Sequence, residues 1–375
     1  MRKYVIALQH QVEHMSWLGL LDETSTVYVG GGTPTFIGDY LWWLVQTVNS
    51  HLNISEMTVE ANPESTNPYI LSKLKDNGVT RISCGVQSLN DSELKLLGRI
   101  HDSQQAKDAI KIAKSYGFDV SGDLMCAIPT QTMKSWEHTL LEMVSLDPSH
   151  VSVYPLQIEE GTPFCSAINA GRMDYPEDNM MADCMDLAHD ILGSNGYSRY
   201  EVASYAKPGC QCDHNKTYWT GKPYLGLGTG ASSCLSVEGY LKLKSVVSKL
   251  PDINLDTFRV RLKILSDRYE VAESTCIDQM KFEVEFLNKS QAIAEDLMLG
   301  ARLVKGISPS LVDVAKDVYD TNKLDTTICR LEEDELVEID SLGYIKPTHK
   351  GWLLGNQLYG ELWDLSEGNI DTYTV

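Results

Sequence analysis

The sequence predicts an α/β fold with a barrel-like parallel sheet, followed by a small helical domain. Two observations carry this. Five short β-branched or apolar runs recur about every 25 to 35 residues, with helix-period runs between them. After residue 290 the strand pattern gives way to short amphipathic helices with acidic faces. Five consecutive βα units favour a barrel-like sheet over a compact doubly wound domain.

The strand candidates are Thr26–Gly30, Met57–Asn62, Arg81–Val86, Asp119–Met125 and Val151–Pro155. The helix candidates between them are Asp39–Val48, Pro68–Asn77, Gln104–Tyr116 and Ser135–Leu146. Asn67-Pro68 sets a capping residue before a proline at the first helical position. Asn77-Gly78 and Tyr116-Gly117 put a residue tolerant of left-handed backbone just past a helix. A second stretch begins near Pro176: a helix over Glu177–Leu192, a short strand over Tyr200–Tyr205, then a loop rich in Gly and Cys. Glu295–Val304, Ser308–Ala315 and Leu331–Leu342 read as amphipathic helices, and Gly343–Pro347 as a wing. The expected domains are residues 1–240, a connecting region 241–289 and a helical domain 290–375.

The chain has 375 residues, 32 Lys+Arg against 52 Asp+Glu, and a formal charge of −20. That balance excludes a binder of phosphate backbones, so no nucleic acid is expected as a partner. It also argues against a protein held on anionic lipid. No apolar run is long enough for an integral membrane segment, and Met1–Tyr4 does not lead into a signal-peptide core. Nine cysteines, an odd number without disulfide-framework spacing, point to a reducing, cytoplasmic setting.

Gly30-Gly31-Gly32-Thr33-Pro34-Thr35 follows the first strand. It has neither the Walker nor the dinucleotide spacing. It is either a tight βα turn or a turn that lets backbone approach a ligand. Glu60, Gln87 and Asp123 then stand at successive strand ends, which share one mouth in a parallel barrel. They either seal that mouth by bonding one another or bind a ligand with amine, carboxylate and ribose groups, Arg99 pairing the carboxylate. His214-Asn215-Lys216-Thr217-Tyr218-Trp219 offers an imidazole in a loop, competent as an axial heme ligand, beside two flat aromatic rings. Asn215 could orient the ring or bond a propionate. Cys210, Cys212 and His214 could instead begin a zinc site, one ligand short. An anionic heme would need Lys216, Lys222 or Arg199 to make the local field positive.

Taken together, GGGTPT at 30–35, VEANPE at 59–64, RISCGVQS at 81–88, LLGRIH at 96–101 and GDLMCAIPTQT at 122–132 resemble the radical S-adenosylmethionine family of oxygen-independent coproporphyrinogen oxidases and their relatives. SVYPLQIEEGTP at 152–163, YEVASYA at 200–206 and EDLMLGARL near 300 extend the likeness over nearly the whole chain. HNKTYW resembles the heme-binding signature of that family's heme-chaperone subgroup. The resemblance implies a partial TIM-like (β/α)6 barrel lacking its first strand, with a winged-helix-like C-terminal domain. It implies S-adenosylmethionine, a 4Fe–4S cluster, and one heme passed to an acceptor protein. Gly31, Gly32 and Thr33 match positions along the cofactor's methionine part. Glu60, Gln87, Arg99 and Asp123 match those holding its amino, ribose and carboxylate groups, and Met125 and Gln157 match adenine-side positions. His214, with Asn215, Tyr218 and Trp219, would bind heme, His214 at the iron. No residue is assigned a catalytic role. The alternative the resemblance leaves open is an oxidase that decarboxylates coproporphyrinogen.

One departure stands out. The family's cluster is held by CxxxCxxC near the N-terminus, but the cysteines here are 84, 126, 165, 184, 210, 212, 234, 276 and 329. The opening KYVIALQHQVEH reads like the helix that follows the motif. The chain is therefore expected to start after the first strand and the cluster ligands, either because the gene is longer or because this variant lost the cluster.

Overall fold

The computed structural model describes residues 1–172 and 178–375. Their contacts divide the chain into two compact units. One comprises Val27–Trp42 and Glu56–Cys212; the other comprises Met1–Thr26, Trp43–Ser55 and Asp213–Val375.

The first unit is the expected α/β body. Its sheet contains β1 (Thr26–Val29), β2 (Glu56–Ala61), β3 (Arg81–Gln87), β4 (Asp119–Cys126), β5 (His150–Pro155), β6 (Ser198–Arg199) and β7 (Ser204–Ala206). The spatial order is β1-β2-β3-β4-β5-β7-β6. β2 to β5 run parallel, whereas β7 pairs antiparallel with both β5 and β6. Apolar residues alternate with polar ones along these strands: Val59, Ile82, Val120, Leu124, Val151 and Val153 are fully buried, and so, nearly, are Ser83, Ser121, His150 and Ser152. The helices Pro68–Asp76, Ser103–Ser115 and Met133–Leu146 lie close to their expected bounds. Asn67, Asp102 and Thr132 cap them through their side chains. The expected strand over Tyr200–Tyr205 is instead the two short strands β6 and β7, with a turn between them. The Glu177–Leu192 helix runs over Asp178–Ser194, and its expected start at Pro176 and Glu177 lies outside the described residues.

The second unit opens with the helix Arg2–Trp17. It contains an antiparallel sheet of β8 (Ser232–Ser236), β9 (Thr257–Ile264), β10 (Phe282–Asn288) and β13 (Asp371–Thr374), in the order β13-β10-β9-β8. A hairpin of β11 (Val337–Ile339) and β12 (Ile345–Pro347) forms the wing. The helices Lys289–Gly300, Pro309–Lys316, Thr321–Glu333 and Gly355–Trp363 pack around Leu297, Leu324, Leu331, Leu336, Leu358 and Leu362. The expected helix over Leu331–Leu342 is not formed. The helix ends at Glu333, Glu335 turns to φ 58°, and the chain then enters β11. That break sends both Leu331 and Leu336 into the core.

Candidate functional site

In the first unit the glycine turn leaves β1 with Gly31 and Gly32 at φ 89° and 72°. These angles suit glycine, and a β-carbon at either residue would meet nothing within 4 Å. The turn therefore borders open space with bare backbone. Glu60 holds it: Oε2 accepts from the Gly31 N–H at 3.0 Å, and Oε1 accepts from the Tyr28 hydroxyl at 2.9 Å. Asn62 donates to the Thr33 hydroxyl at 2.8 Å.

The other strand-end residues gather nearby. Asn62 Oδ1, Gln87 Nε2 and Arg99 Nη2 lie 3.1, 3.1 and 3.7 Å from where a β-carbon on Gly85 would stand. Gln87 adopts φ 68°, a conformation side chains rarely take, of the kind stored at ligand sites. Asp123 accepts from Ser83 at 2.6 Å and Ser121 at 3.0 Å. Desolvation first, and the charge of Glu60 after it, push its carboxyl above the ordinary range. Tyr28, on β1, is raised by burial first and then by the charges of Asp123 and Glu60. Met125 is half-buried on β4, and Gln157 is exposed just past β5.

Several further polar residues take part to which the sequence assigned no role. Tyr28 and Ser83 sit inside strands and look like filler. Glu64 and His101 pair at 3.1 Å, and His101 Nε2 donates to the Val86 carbonyl at 3.2 Å.

A buried chain of polar groups leaves Asp123. Ser121 also meets His150 Nδ1 at 2.8 Å, and His150 Nε2 meets the Tyr200 hydroxyl at 2.9 Å. The Tyr200 oxygen accepts from the Cys212 N–H at 3.4 Å. The single hydroxyl hydrogens of Ser121 and Tyr200 fix one direction. Cys212 donates to Tyr200, Tyr200 to Nε2, Nδ1–H to Ser121, and Ser121 to Asp123. Burial, followed by the charge of Arg81, lowers His150 to about 3, which keeps it neutral and leaves Nε2 as the acceptor from Tyr200. Arg81 also donates to the carbonyls of Cys210 and Gln211 at 3.0 and 3.3 Å. The Cys212 thiol donates to Glu56 at 3.3 Å.

In the second unit the HNKTYW residues form a short helix, Asp213–Trp219, rather than the expected loop. None of its residues is buried. His214 Nδ1 meets the Thr26 hydroxyl at 2.9 Å, and Nε2 meets the Tyr218 hydroxyl at 3.1 Å. The i,i+4 spacing makes the second contact, with the rings edge to face at 5.0 Å. Tyr218 in turn stands edge-on to Tyr224 at 4.7 Å. Asn215 is half-buried on the same helix. The cations expected to make the local field positive are engaged elsewhere. Lys216 pairs with Asp213 at 2.7 Å, and Arg199 donates to the Val202 carbonyl at 3.0 Å.

All nine cysteines are free. Among the described residues no three His, Cys, Asp or Glu side chains assemble a metal site. Burial, Asp123 and Glu64 raise the Cys84 thiol, which keeps it protonated. This donor set does not fit a 4Fe–4S cluster, which needs converging thiolates.

The fold is that of the radical SAM class: residues 6–143 match the family model described as Radical SAM superfamily. The fold is similar to that of coproporphyrinogen III oxidase (HemN) from Escherichia coli. The TM-score is 0.72 at 20% identity, covering 96% of this chain and 82% of that one. Two relatives named heme chaperone HemW align over 90% of this chain. The one from Lactococcus lactis is 31% identical over 84% of its length, and the one from Bacillus subtilis is 30% identical over 85%. The chain belongs to the HemW family.

Proposed function

We propose that this protein binds heme at the Asp213–Trp219 helix and passes it to an acceptor protein, with S-adenosylmethionine in the glycine-turn pocket. The observation that carries the reading is His214 on an unburied helix, its two ring nitrogens set between two hydroxyls beside an aromatic pair. A transfer site needs such accessibility, because the ligand must leave as well as bind. When bound, heme presents iron with axial positions that an imidazole can fill. With Nδ1–H donating to Thr26, the His214 lone pair lies on Nε2, which meets the Tyr218 hydroxyl. Tyr218 and Trp219 would face the macrocycle, and Asn215 would bond its polar edge.

The pocket residues fit S-adenosylmethionine. Gly31, Gly32 and Thr33 offer backbone to its methionine part. Glu60, Gln87, Arg99 and Asp123 supply acceptors and a cation for its amine, ribose and carboxylate, and Met125 and Gln157 border the adenine. The cysteines of this chain bring no thiolate set to that pocket, so no radical step is assigned. The free thiols and the lack of any helix apolar and long enough to cross a membrane, among the described residues, accord with the proposed cytoplasmic setting.

Titration of heme into wild type and His214→Ala, followed at the Soret band, tests the reading. The expected result is a changed spectrum and at least tenfold weaker binding in the variant. An unchanged band with unchanged affinity would remove His214 from the site.

A further inference from the structure

We propose that Arg302 binds the carboxylate edge of the porphyrin, as an anion subsite beside Trp219. The proposal rests on the heme reading above and gives a role to a residue of the EDLMLGARL segment to which the sequence assigned none.

Arg302 lies just past the helix Lys289–Gly300 and is half-buried. Its guanidinium carbon stands 5.2 Å from the centre of the Trp219 ring and 4.1 Å from that of Tyr359. Both rings lie within cation–π range of the guanidinium. Its Nε is buried without a hydrogen-bond partner.

The neighbouring arginines behave differently. Arg259 contacts Glu295 at 2.7 Å and Asp296 at 2.8 Å. Arg261 contacts Glu285 at 3.0 Å and Glu295 at 3.3 Å. Those carboxylates are thus committed to other cations. Among the described residues Arg302 makes no ion pair, although Asp+Glu outnumber Lys+Arg by 52 to 32 in this chain. A cation without an ion pair, set between two aromatic rings beside the end of HNKTYW, suits a planar carboxylate, which a guanidinium can grip with two parallel hydrogen bonds. Porphyrin propionates are carboxylates of this kind. The three cations expected from the sequence suit the role less: Lys216 and Arg199 are engaged, and Lys222 is exposed on the chain past Trp219.

The test compares hemin with hemin dimethyl ester, which keeps the macrocycle and iron and loses the propionate charges. Both are titrated into the full chain of wild type, Arg302→Gln and Arg302→Lys, with melting temperatures recorded alongside. Wild type should prefer hemin on the order of 10- to 100-fold, the range of charge-assisted hydrogen bonds. Arg302→Gln should bring that ratio close to one while leaving the ester's affinity unchanged. Arg302→Lys should keep part of the preference. Full preference in Arg302→Gln would overturn the proposal. So would equal weakening of both ligands with a lowered melting temperature, which would make Arg302 only a packing support. Wild type binding both ligands equally would overturn it as well. Wild type binding neither would defeat the heme reading itself, a different result from all of these.

Discussion

Replacing Tyr218 with phenylalanine removes the hydroxyl that meets His214 Nε2 at 3.1 Å and keeps the ring that stacks edge-on to His214 and Tyr224. If Nε2 is the atom offered to heme, binding must first break that contact. A neutral hydrogen bond contributes about 0.5–1.5 kcal/mol net. Its loss from the unbound state should therefore tighten heme binding about 2- to 12-fold. Thr26→Val is the opposite perturbation. It removes the partner of Nδ1 at 2.9 Å, which sets the tautomer and ring orientation. Loss of such outer support weakens metal binding about 10- to 100-fold. Soret titrations of both variants at one pH, against wild type, give the two ratios. Affinities that move in opposite directions support Nε2 as the ligand. Weakening in Tyr218→Phe would refute the reasoning, because the hydroxyl would then contribute to the bound state.

Gly221→Ala should lower the denaturation midpoint by the equivalent of about 2–5 kcal/mol, because the residue sits at φ 64° and a β-carbon would strike the Asp296 carboxylate that pairs with Arg259. An unchanged midpoint in urea would contradict this. Gly31→Ala has room for its methyl but not the backbone freedom, so a strain of about 1–2 kcal/mol at φ 89° should weaken S-adenosylmethionine binding, measured by calorimetry, several-fold. Equal affinities would count against the turn's role. His150 titrates at about 3 when folded and near 6.5 when unfolded. As pH falls through that window the unfolded chain gains a proton that the folded one refuses, so stability falls, by at most about 1.4 kcal/mol per pH unit. Denaturant unfolding of wild type and His150→Asn at pH 7, 6 and 5 should show the steeper fall in wild type, and parallel curves would refute it.

The alternation of β-branched runs with capped helices located β2 to β5 and their helices to within a few residues, because local periodicity and burial agree there. Where they disagree, the reading failed. β9 reads Arg259-Val260-Arg261-Leu262-Lys263-Ile264, a period-two strand, yet its partners β8 and β10, and β13 on the far side of β10, are spread from residue 232 to 374 and nothing local announces the pairing. The acidic run after Leu331 conceals the turn at Glu335, since charge tolerates helix and turn alike. Glu60, Gln87, Arg99 and Asp123 were legible as polar residues at strand ends. Tyr28, Ser83 and Glu64 were not, because their roles arise only from neighbours tens of residues away. Arg302 was equally silent, being one charge in an acidic tail.

The one-way series of donors from Cys212 through Tyr200, His150 and Ser121 to Asp123 binds these positions into a single hereditary unit. Each group holds the proton orientation of the next, so the free energies of single substitutions along it will not add. A change at Ser121 that is harmful alone can become neutral once His150 has also gone. A double substitution along the series should therefore cost less than the sum of its two single ones.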